Sequence, residues 1–117
     1  MSTLRVNTLQ TQAGVEVYTA KAWVNFNGTG TVAIRGAGNV SSITDNGTGS
    51  YTVNFTTALA DANYSAVATS GTDGVSGDVG HNAANIRDTS TSSVWVINWN
   101  DADALVDVAR ICVSVFR

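Results

Sequence analysis

The sequence predicts an all-β protein: an antiparallel β-sandwich of jelly-roll-like order over residues 22–117, behind a short extended N-terminal arm, residues 1–21. Three observations predict it. Apolar residues make up 44 % of the 117-residue chain, yet they come as short Val-, Ala- and Ile-containing runs broken by Thr, Ser, Asn and Gly, the composition of many short strands. Within those runs apolar and polar side chains alternate with period two, as in Tyr51, Val53 and Phe55 against Ser50, Thr52 and Asn54. The tetrapeptide Asn-Gly-Thr-Gly occurs at 27–30 and again at 46–49, between alternating runs, in a chain without proline.

The elements follow in order. The opening "STLRVNTLQTQAGVEVY" is polar, with isolated Leu4, Val6 and Leu9, too sparse to close a core; it reads as an arm that anchors on another surface. Strands are expected at 22–26, 31–35, 40–44, 50–55, 64–69, 93–98 and 106–116. The first strand joins the second, and the third the fourth, through the two Asn-Gly turns. Residues 56–63 lack turn chemistry and carry the chain from one sheet to the other. The glycine-rich stretch 70–88 reads as a long exposed loop with room for one edge strand.

Gly28-Thr29-Gly30-Thr31-Val32-Ala33 also satisfies the spacing of a dinucleotide-binding loop. Such a loop needs a helix to begin at its glycines, so that free N–H groups and the helix dipole meet the pyrophosphate. Here β-branched Val32 and Ile34 continue as a strand, and a hairpin turn is the better reading.

Charge excludes other classes. Charged residues are 13 % of the chain and the net charge is −3, leaving no basic surface for nucleic acid or an anionic membrane. The first residues hold no apolar core of a secretory signal, and no run approaches the ~18 apolar residues of a membrane span. The lone Cys112 forbids an intramolecular disulfide and reads as a small strand residue. Five Asn-x-Ser/Thr sequons, at Asn27, Asn39, Asn46, Asn54 and Asn63, reflect composition.

Catalytic and metal chemistry finds little to work with. His81, the single histidine, sits in the glycine-rich loop, and no G-x-S-x-G elbow accompanies it. Asp101, Asp103 and Asp107, or Asp73 and Asp78, could offer carboxylates to Ca²⁺, but neither group matches a calcium-loop pattern, and turn aspartates are the simpler reading. Glu16 is the only glutamate, which does not favour a glycosidase pair. The expectation is no enzyme, no metal and no cofactor.

One pattern argues for an added layer. In "SVWVINWN", Val94 and Val96 face one side and Trp95, Ile97 and Trp99 the other; in "AKAWVNF", Trp23 lies opposite Ala22, Val24 and Phe26. Tryptophan on a nominally wet face calls for a neighbouring subunit, the arm, or a flat ligand such as a sugar ring, so Trp23, Trp95 and Trp99 are candidates for a subunit interface or a glycan platform.

The stretch "AWVNFNGTGTVAIRGAGNVSSITDNGTGSYTVNFTTALADANYSAVA", residues 22–68, resembles bacteriophage virion appendage proteins, tail-fibre-type structural proteins of T7-like and cyanobacterial phages. Residues 70–117 fit that pattern loosely. The resemblance implies a non-enzymatic, homotrimeric β module on the surface of a virion, assembled in the host cytoplasm, whose partners are its own copies and other capsid or tail proteins. Since no shaft repeat is present, a capsid-decorating knob or cement protein is the favoured form. The alternative is a fibre tip or adhesin that binds a host receptor or surface glycan.

Overall fold

The computed structural model describes residues 8–15, 17–72 and 82–117. These form eight strands: β1 Ala20–Asn27, β2 Ala33–Gly38, β3 Val40–Asp45, β4 Ser50–Phe55, β5 Ser65–Gly71, β6 Asn82–Thr89, β7 Ser93–Asn100 and β8 Arg110–Phe116. Sheet 1 has the order β2-β1-β8-β5 and sheet 2 the order β3-β4-β7-β6, every pairing antiparallel. The all-β, two-sheet sandwich matches the expectation. Its connectivity is not that of a jelly roll, in which successive strands pass between opposite sheets: β1–β2, β3–β4 and β6–β7 are hairpins within one sheet.

Alternation built the core. Ala22, Val24 and Phe26 of β1 and Ile111, Val113 and Val115 of β8 face Tyr51, Val53 and Phe55 of β4 and Val94 and Val96 of β7, and all are buried. Fully burying side chains of this size stabilises by about 1.5–3 kcal/mol each. Phe26 meets Tyr51 edge-on with ring centroids 5.2 Å apart.

Two strand bounds need correction, while the edge strand and the two hairpins hold in outline. The strand expected at 31–35 lies at 33–38, because Gly36, Ala37 and Gly38 continue the sheet beyond Arg35. Strand β6, at the edge of sheet 2, begins inside the stretch expected to be a loop with room for one edge strand. The strand expected from 106 starts at Arg110; residues 106–108 instead cross one end of the sandwich, with Val106 N–H donating to Asn98 O and Gly28 N–H donating to Val108 O. The Asn-Gly pairs sit in hairpins, but loops of five residues (28–32) and four (46–49) take their positive φ at Gly30, Gly47 and Gly49.

The arm also departs from an extended chain. Thr11 N–H donates to Val15 O and Val17 N–H to Leu9 O, around a turn closed by Gly14 N–H to Thr11 O and permitted by Gly14 at φ 82°. Leu4 and Val6 lie outside the described residues, as do Glu16, Asp73, Asp78 and His81.

One residue, Asn39, joins sheet 1 to sheet 2. It adopts φ 54° between β2 and β3. Its Nδ2 donates to Lys21 O and Thr57 O, its Oδ1 accepts from Thr57 N–H, and its carbonyl accepts from Thr56 N–H. The stretch 56–64 then carries the chain from β4 back to β5 in sheet 1, as its composition suggested.

Candidate functional site

The structure divides the three tryptophans between the two outer faces. Trp23 projects from β1 on sheet 1, 45 % exposed. Its ring lies over edge strand β2, where Gly36 and Gly38 leave no Cβ to obstruct it. Register aligns Trp23, Ser114 and Val67 in one row across β1, β8 and β5, so the small serine separates two exposed apolar side chains. Cys112 occupies the next row, between Asn25 and Thr69, as a half-buried strand residue.

Trp95 and Trp99 project from β7 on the outer face of sheet 2, flanking Ile97, which is buried although it points outward. Trp99 pairs with Leu105 across an isolated bridge. The candidate tryptophans therefore belong to two separate surfaces, Trp23 to sheet 1 and Trp95 and Trp99 to sheet 2, whose outer faces turn away from each other.

Trp95 is the better furnished. Its Nε1 donates to Ser50 Oγ at 2.8 Å, and the Arg87 guanidinium lies 4.8 Å from the ring centroid. The register of β6 against β7 shifts between Ile86, opposite Val96, and Asp88, opposite Trp95. Arg87 is the additional residue of this β-bulge on an edge strand, the device by which a sheet re-aims a side chain. Beside Trp95 is an open cleft of about 130 Å³ lined by Thr52, Asp88, Thr89, Ser90, Ser93 and Trp95. Thr52 Oγ1 accepts from Asn46 Nδ2 at 2.8 Å, Asp88 Oδ1 accepts from Thr89 N–H at 2.9 Å, and the Ser90 and Ser93 hydroxyls are 3.0 Å apart. The cleft thus combines an indole, a carboxylate and hydroxyls that still have hydrogen-bonding capacity.

A second polar cluster ties one end of the sandwich. The Tyr51 hydroxyl donates to Asp107 Oδ1 at 2.5 Å and lies 2.8 Å from Gly28 O, while Gly49 N–H donates to Asp107 Oδ1 at 2.8 Å. Burial, and then the hydrogen bond from the phenol to Asp107, push the Tyr51 phenol far above the ordinary tyrosine range. A Cβ on Gly28 would come within 2.6 Å of the Tyr51 oxygen, so glycine serves here for close approach. Asp107 Oδ1 thus accepts from two elements at once and ties Gly49 and Tyr51 to the β7–β8 connection.

Asp101 and Asp103 are exposed in the β7–β8 connection, whose turn is capped by Asn100 Oδ1 accepting from Ala102 and Ala104 N–H. Among the described residues no three His, Cys, Asp or Glu side chains gather as a metal site. Leu9 is exposed, together with Val15, Val17 and Tyr18. Sequence reading singled out Trp95 but missed Arg87, Asp88 and Thr52 around it; the one signal available was the lost alternation at Ile86-Arg87-Asp88. No protein-family model, curated protein or solved structure matches the chain.

Proposed function

We propose that this chain is a non-enzymatic surface protein of a bacteriophage particle, a homotrimeric knob or cement that decorates the capsid, attached through the segment ahead of β1. The virion assignment rests on the resemblance of residues 22–68, and assembly in the host cytoplasm belongs to the same reading. The observation that supports attachment is the uncovered series Leu9, Val15, Val17 and Tyr18. The core is made without them, by residues from Ala22 onward, so their apolar surface is left for something other than their own sandwich.

Attachment of this kind is physical. Each exposed side chain contributes little alone, but three segments per trimer make rebinding intramolecular and raise avidity without any new contact. The outer-face apolar side chains of sheet 1, Trp23, Val67 and Phe116, are the surface available for subunit packing. Deletion of residues 2–18 is the test. The truncated protein is expected to keep its β circular dichroism and cooperative unfolding but to be lost from purified particles. The full chain is expected to sediment at three times its 12.1 kDa mass. Particles that retain the truncated protein at normal copy number, or a full chain that stays monomeric, count against the proposal.

A further inference from the structure

None of the residues lining the cleft beside Trp95 belongs to the segment ahead of β1. We infer that it is a binding site for a saccharide of the pyranose type, on the outer flank of sheet 2. A pyranose presents C–H faces that pack on an aromatic ring and hydroxyls around its rim that need both acceptors and donors. The cleft supplies the indole of Trp95, the carboxylate of Asp88 as acceptor, and the hydroxyls of Thr52 and Ser93. Thr52 already accepts from Asn46, which leaves its own proton to donate. The bulge sets the Arg87 guanidinium over the ring, 4.8 Å from its centroid, so a sugar that packs on that face of the indole displaces it.

Other ligand classes fit less well. An apolar ligand would strand Asp88 and the hydroxyls without partners. A phosphate or other compact anion would meet the Asp88 carboxylate in the wall. At about 130 Å³ and open to one side, the cleft suits one sugar ring and is too small for a docked helix or strand. The inference does not depend on the virion reading, because binding is measured on the isolated protein.

The test is saturation-transfer NMR of the full chain with methyl α-glucoside, methyl α-galactoside, methyl α-mannoside and N-acetylglucosamine, each added separately. Transfer from the protein to ring C–H protons is expected for at least one of them. Asp88→Asn keeps an oxygen for the Thr89 N–H and so preserves the bulge, but it is expected to weaken binding at least about tenfold, as for loss of a hydrogen bond to a charged group. Trp95→Leu is expected to abolish binding, and Trp23→Leu on the opposite face to leave it unchanged. Absence of transfer to all four sugars overturns the inference, and so does transfer that persists undiminished in Asp88→Asn, whatever the folding of Trp95→Leu.

Discussion

Asn39 shows how much can rest on one side chain. Its backbone is left-handed, which costs most L-residues roughly 1–2 kcal/mol and asparagine less. Its amide also spans Lys21 and Thr57, holding the start of β1 against the end of the β4 strand where the two sheets meet. Asn39→Ala forfeits both contributions and is expected to destabilise by about 2–4 kcal/mol. Asn39→Gly retains the backbone freedom and loses only the side-chain bonds, for about half that cost. Urea denaturation of the two variants separates the terms, and equal losses would show that the left-handed backbone contributes nothing, the amide bonds carrying the whole effect.

At the scale of elements, β2 is shaped by what it lacks. Glycine in a strand is entropically unfavourable, yet Gly36 and Gly38 face the Trp23 ring, which needs the flat surface they leave. A methyl group at Gly38 would meet the indole, whose outer side is open, so Gly38→Ala is expected to cost about 1 kcal/mol by displacing the ring. In a Trp23→Ala background that cost should vanish; a double-mutant cycle by urea unfolding measures the coupling, and additive losses would mean the backbone of β2 is at fault instead.

The same elements show which parts of the fold were legible. In β1 and β4 large apolar side chains recur at every second position on the core face, in β7 they fill both faces, and these strands were read correctly apart from their ends. In β6, Asn82, Ala83, Ala84 and Asn85 offer little contrast of size or polarity, and the bulge at Arg87 breaks the phase. Val106 and Val108 alternate like a strand, but their hydrogen bonds go to Asn98 and Gly28, beyond the reach of local pattern. The candidate site follows the same rule. Trp95 was visible along its own strand, whereas Thr52 and Asp88 become its neighbours only through cross-strand register, which no single segment encodes.

Across the whole molecule, the Tyr51 cluster links three separate connections: the β1–β2 loop at Gly28, the β3–β4 loop at Gly49 and the β7–β8 connection at Asp107. The phenol is held neutral in the folded state, mainly by burial, while an unfolded tyrosine ionises near pH ~10. Between those two pKa values the folded state binds more protons than the unfolded, so this stability is fully present below pH ~10 and is lost as pH rises further, by about 1.4 kcal/mol per unit. Tyr64, raised chiefly by burial, adds in the same direction. Unfolding free energies measured from pH 8 upward should be flat with respect to these groups and then fall, and Tyr51→Phe should reduce the alkaline slope. An unchanged slope in that variant would mean that Tyr51 does not govern it.

Ala20 and Phe116 are register partners, so β1 begins where β8 finishes, on adjacent antiparallel strands. A pull exerted through both ends of the chain therefore loads the β1–β8 ladder one rung at a time, like a zipper opened from its tab. Tension between the leading segment and the far-side loops instead spreads over a whole row of rungs in shear. The domain is mechanically weak along one axis and resistant along another, a directional bias that follows from where the first and last strands meet.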